Sequence, residues 1–134
     1  MKTAIYRAAT LTLSLELLAG GVADILRVNW ASTIMVHLGY PPCMMFIIGI
    51  SKVLGSVAII VPFSETVREW AYAGIFFEIT GALASHLLSR DAVAAIGPPV
   101  AFTLITLLSW KLWKDRLKDA ALGELHLSDA KWPS

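Results

Sequence analysis

PCMMFIIGISKVLGSVAIIVPF, residues 42–63, is an unbroken apolar run whose one charged residue, Lys52, sits near its middle. Its length decides the fold class. A helix rises about 1.5 Å per residue, so about 20 residues cross a hydrocarbon core of about 30 Å. Working outward, three more blocks of similar length appear: Tyr6 to Leu26, Trp70 to Leu88 and Ala92 to Trp113. The blocks lack the strict alternation of membrane barrel strands, and four strands cannot close a barrel. Only helices then satisfy the backbone inside lipid. The expected fold is all-α: a four-helix transmembrane bundle, with helices at about 6–28, 42–63, 67–88 and 92–116 and a polar C-terminal tail at 117–134. A single membrane domain covers residues 1–134, and its last helix is expected to continue for some turns past Lys114 before fraying.

Composition agrees with this reading, since 57% of the 134 residues are hydrophobic and only 16% charged, well outside the range of soluble domains. A net charge of +1 offers no field for nucleic acid. The single cysteine, Cys43, excludes an intramolecular disulfide or a Cys-x-x-Cys redox pair; it reads as a small buried residue, and Met44 and Met45 as gap fillers. Lys2, Arg7, Arg68, Lys111, Lys114, Arg116 and Lys118 fall on one side of an even-numbered bundle, against Arg27 and Arg90 on the other. By the positive-inside rule both termini are expected in the cytoplasm, which fits a multi-pass protein of the bacterial inner membrane. A cleaved signal peptide over residues 1–23 is the rival reading, and Glu16 in its apolar region argues against it.

Charges inside the apolar blocks carry the most information, because each is costly in lipid unless it faces the bundle interior and finds a partner. Glu16, Lys52 and Glu78 all fall near the midplane of their blocks. At 100° per residue, Glu16 shares a face with Thr12, Gly20, Ala23 and Arg27; Lys52 with Met45, Gly49 and Ser56; Glu78 with Ala71, Gly74, Ala82 and Ser85. Small residues mark close helix packing in membranes, so these faces are expected to point inward. Ile75, Phe76, Ile79 and Leu83 are expected to face lipid. Two carboxyls then compete for one ammonium, which makes Glu16, Lys52 and Glu78 candidate catalytic residues, one of the acids serving as general acid. The bland alternative is a buried ion pair that fixes helix register.

A shallower group, Asp24, Arg27, His37 and His86, is placed to line an entrance and contact a ligand. Residues 30–38 carry Trp30, Ile34 and Leu38 at helical spacing and read as a short interfacial helix between helices one and two, a lid over that entrance. No metal site is expected, for no His-Glu-x-x-His or comparable ligand spacing occurs. Glu69 and Trp70 have ordinary roles at a helix start and an interface. Pro98 and Pro99 mark the start or a kink of the fourth apolar helix, and Thr103 and Thr106 act as packing glue.

Taken together, His37-Leu-Gly-Tyr-Pro41, Lys52-Val-Leu-Gly55, Glu69-Trp-Ala-Tyr-Ala-Gly74 and Ser85-His86 resemble the DoxX-like family of small bacterial membrane proteins, over most of residues 10–110. The resemblance implies a four-helix bundle and gives weight to Lys52, Glu69, Trp70, Tyr72, Gly74 and His86; Tyr72 thereby joins the candidate ligand contacts. Relatives named for the small subunit of an archaeal thiosulfate:quinone oxidoreductase imply work near the quinone pool, and more distant ones include a receptor-assembly chaperone and the membrane domain of the vitamin K-dependent carboxylase. Two classes of function follow. In one, the bundle binds a lipophilic small molecule, a quinone or isoprenoid-like lipid, and exchanges protons with it. In the other it is a non-catalytic assembly factor for a membrane-protein partner, or a small-molecule carrier working as a homo-oligomer.

Overall fold

The computed structural model describes residues 1–62 and 64–130. Its elements are α1 (Lys2–Ile25), α2 (Asn29–His37), α3 (Pro42–Ile60), α4 (Glu65–Leu88) and α5 (Val93–Ala130). All are helices, and no strand occurs among the described residues. Four of them, α1, α3, α4 and α5, are long and apolar enough to cross a membrane. The short α2 falls where a short helix is expected between the first two spans. Phe63, the expected end of the second span, and residues 131–134 of the expected tail lie outside the described residues.

Three helix ends are closed in the same way. After α1, Val28 N–H bonds Ala23 O and Arg27 N–H bonds Asp24 O; after α2, Tyr40 bonds Met35 and Gly39 bonds Val36; after α4, Asp91 bonds His86 and Arg90 bonds Leu87. Each pair is a Schellman closure, which needs a left-handed residue at its turn. Gly39 supplies one at φ +79, whereas Arg27 at φ 51 and Arg90 at φ 57 adopt it without the freedom of glycine. Ser64 caps the start of α4 by accepting from Val67 N–H, the use for which serine is favoured there.

Around the bundle, α1 packs on α3 and α5, and α4 packs on the same two helices. The tightest seam is α1 against α3. A Cβ placed on Gly21 would lie 2.8 Å from Gly49 O, and one on Gly49 would lie 2.8 Å from Gly21 O. Backbone meets backbone there, which only paired glycines allow. Below that seam, the Ser14 and Ser56 hydroxyls bond each other in the buried interior, and Ser56 also donates to Ser14 O.

The apolar interior is split in two. One cluster, Leu13, Leu17, Ile59, Tyr72, Ile75, Ile79 and Trp113, fills the half of the bundle nearer the N-terminus. The other, Ala23, Ala31, Met35 and Met45, seats α2 on the ends of α1 and α3. The first turns of α5 belong to neither cluster, so a gap is left between the two. At the opposite end Arg116 lies over the Tyr6 ring, Arg68 over Trp113, and Lys114 pairs with Glu69. These residues gather the basic side chains at one end.

Several expectations are overturned. Ile75 and Ile79 do not face lipid; with Tyr72 they form the buried face of α4. Gly74 and Gly81 are exposed instead, with nothing within 4 Å of where a Cβ would stand. The physical reason is that α4 meets the core with large side chains and carries Glu78 on the flank of that face, so Gly74 and Gly81 mark no close helix contact. Thr12 is exposed, since the buried face of α1 runs through Leu13, Ser14, Leu17 and Gly21. Cys43 is exposed on the first turn of α3. The polar tail stays helical: α5 has 38 residues, about 57 Å, and runs well past the thickness of a bilayer core.

The seam gives a test. Gly49→Val is expected to cost about 2 kcal/mol or more through backbone overlap, while Gly81→Ala, in open space, leaves stability unchanged; unfolding curves in mild detergent read the difference.

Candidate functional site

The gap between the two apolar clusters is a cavity of about 850 Å³. Its walls come from every helix: Glu16, Leu17 and Asp24 of α1, one face of α2, Met44, Ile48 and Lys52 of α3, Phe77, Glu78, Ile79, Gly81, Ala82 and His86 of α4, and Ala94, Ala95, Pro98, Pro99 and Phe102 of α5. Its size falls within the range of small-molecule sites, and its mix of many apolar walls with few polar groups is typical of them. Pro98 and Pro99 lie inside α5. Having no N–H, they deprive the carbonyls of Ala94 and Ala95 of their i+4 donors.

Lys52 is the centre of the charged group. Its Nζ lies 2.9 Å from Asp24 Oδ2 and 3.6 Å from Glu78 Oε1. Asp24 is buried, at 6% exposure, so the ammonium is its compensation. Gly20 makes the room: a Cβ there would stand 3.5 Å from Lys52 Nζ and 3.6 Å from Glu16 Oε1. Glu16 therefore comes to the same place from the other side, and its Oε2 is enclosed with no hydrogen-bond partner among the described residues. The expected set Glu16, Lys52 and Glu78 thus lies together, and Asp24, placed by depth among the entrance residues, joins it as the nearest partner of Lys52.

The entrance is organised by an acid that the sequence reading passed over. Asp91 Oδ1 lies 2.6 Å from His37 Nε2, and its Oδ2 lies 2.6 Å from His86 Nδ1. The closure after α4 brings Asp91 back onto His86, and α2 presents His37 from across the cavity mouth. The signal was an acid five residues beyond a helix-end histidine, on the far side of a left-handed turn. Beside it the Tyr40 hydroxyl bonds Ser85, which itself donates to Gly81 O. Residues on and just after α2 are thus tied once to α4 and once to the turn that follows it.

Two expected ligand contacts lie elsewhere. Arg27 is exposed in the turn after α1, where its carbonyl accepts from Ser32, and it does not line the cavity. Tyr72 is 2% exposed in the other half of the bundle, bonded to Ser109 and stacked on Trp113 with ring centroids 5.8 Å apart. No group of three or more His, Cys, Asp or Glu able to hold a metal occurs among the described residues.

With this geometry in place, the comparison with known families is decisive on one point: the model of the DoxX-like family matches residues 8–109. The chain belongs to the DoxX-like family. That membership and the four apolar helices make it a multi-pass membrane protein. No curated protein and no solved structure matches it.

Hydrogen bonds from His86 first and then His37 hold the Asp91 carboxyl below the usual carboxylate range. A group whose folded pKa is depressed contributes stability above its unfolded value and loses it as pH falls through the lowered one. The α2 tether is therefore expected to persist from neutral pH down through the usual carboxylate range and to release only below it. Amide exchange over residues 29–38, corrected for intrinsic rates, reads this, and Asp91→Asn is expected to raise exchange across the whole range and flatten the profile.

For the central pair, Lys52→Met leaves Asp24 buried and uncompensated, and is expected to cost about 3 kcal/mol or more. Adding Asp24→Asn to it is expected to restore much of that loss, and a double-mutant cycle in detergent measures the coupling.

Proposed function

We propose that this DoxX-like protein binds a lipophilic small molecule, of the quinone or isoprenoid-like class, in the cavity beneath α2. The observation that carries the reading is a mixed-charge centre on the wall of a largely apolar cavity that is large enough for a ring and part of a tail. A structural ion pair needs only a cation and an acid in contact. Here the ammonium has two carboxyls beside it, and a third carboxyl lies nearby with an oxygen left unbonded.

Within this proposal the chemistry is proton transfer. Glu16 and Glu78 exchange a proton with the ligand's polar group, and Lys52 stabilises negative charge that develops on the ligand oxygen. Asp24 is a positioning residue that holds the ammonium at the cavity wall. Helix α2, with Trp30 and Ile34 over the mouth, excludes water while the ligand is seated. The basic end of the bundle faces the cytoplasm, as the positive-inside rule requires, which puts the cavity in the outer half of the bacterial inner membrane.

The test is lipid mass spectrometry on the organic extract of protein purified in mild detergent. A stoichiometric hydrophobic molecule is expected from the wild type and is lost in Ala95→Trp, whose ring fills the cavity from α5, while the fold persists. A stoichiometric protein partner with no bound small molecule would instead place the chain among assembly factors and remove this proposal.

A further inference from the structure

The charge balance of the cavity restricts its occupant. Four carboxyls, Glu16, Asp24, Glu78 and Asp91, line it against a single permanent cation, Lys52. The two lining histidines are turned toward Asp91. The ammonium is itself engaged, by Asp24 at 2.9 Å and Glu78 at 3.6 Å. Acceptors are thus in excess on the α1 side, where the Glu16 carboxyl lines the cavity without an ion pair to Lys52 within 4 Å. They are in excess on the α5 side too, where two successive prolines remove the i+4 donors of the Ala94 and Ala95 carbonyls. An added anion would meet this excess in a site of low dielectric, where repulsion is strong.

We infer that the ligand's head group donates hydrogen bonds and carries no negative charge: a hydroxyl or a protonated amine on an apolar tail, not a carboxylate or phosphate. Of a quinone and its reduced partner, the hydroxyl-bearing form is the one that seats. An isoprenoid alcohol seats and its phosphate ester does not. The assignment of Glu16 follows, since its carboxyl lines the cavity without an ion pair to Lys52 within 4 Å and is the acceptor for that hydroxyl and the first station for its proton. This inference rests on the cavity being a ligand site.

The experiment uses the full chain in phosphatidylcholine nanodiscs and four probes with matched apolar tails: dodecanol, dodecylamine, dodecanoate and a methyl undecyl ketone. Retention of each is measured by native mass spectrometry after release, in wild type, Ala95→Trp and Glu16→Gln. Dodecanol and dodecylamine are expected to exceed the ketone and dodecanoate by about tenfold, ~1.4 kcal/mol. Ala95→Trp removes that advantage, and Glu16→Gln, which adds an N–H donor at the same position, raises the ketone relative to the alcohol. If the ketone or dodecanoate matches the alcohol in the wild type while Ala95→Trp still lowers retention, the inference is wrong and the cavity stands as a ligand site. If no probe is retained, or Ala95→Trp changes nothing, the cavity reading fails and takes the inference with it.

Discussion

A lysine near the centre of a bilayer-spanning helix must be compensated, and the rest of this bundle is arranged around that need. Lys52 obtains Asp24 from α1 and Glu78 from α4, so α3 is held between two helices by one ammonium. The price of the arrangement is steep in a medium where isolated charges cost several kcal/mol. Nothing about crossing a membrane requires it, since four apolar helices pack adequately with small residues and hydroxyls, as Thr10, Ser109 and Tyr72 do at the other end. On the proposed reading, charge retained at that cost beside a cavity reflects what the cavity receives.

The same constraint accounts for the seam between α1 and α3. For a carboxylate on α1 to reach the ammonium on α3 at 2.9 Å, the two helices must approach closely on that level, and Gly21 and Gly49 let them do so. Gly20 then leaves open the volume that the ammonium and the Glu16 carboxyl share. Three glycines thus do two distinct jobs within one pair of helices. By contrast nothing lies within 4 Å of where a Cβ would stand on Gly74 or Gly81, so a small residue in a membrane helix marks an opportunity for close packing rather than close packing itself.

That distinction explains how much was legible in the sequence. The four spans, the interfacial helix and the convergence of Glu16, Lys52 and Glu78 follow from block length and from the cost of charge in lipid, two effects large enough to dominate. The rotation of α4 was not legible. Small residues and Glu78 suggested one inward face, and Tyr72, Ile75 and Ile79 compete for nearly the same angle; the contest is settled by the space among α1, α3 and α5, which no single helix encodes. Asp24 was legible as an acid near the end of α1 but not as the partner of Lys52, because the crossing of α1 and α3 sets that pairing. Asp91 was missed for a related reason. It lies in a short loop, and only the left-handed turn at Arg90 carries it back to His86.

The two ends of the cavity are therefore built on different principles. Its floor is a core of aliphatic and aromatic side chains closed by neutral hydroxyls, with no mobile charge among them. Its roof is α2, whose apolar seat on α1 and α3 is small and whose fastening to the far side consists of polar contacts, His37 to Asp91 and Tyr40 to Ser85. Polar contacts at a wet membrane surface contribute little each, whereas the buried floor resists opening as strongly as any packed core. Of the two ends, the α2 end is therefore the one held by the weaker contacts, and the charged centre lies between it and the packed floor.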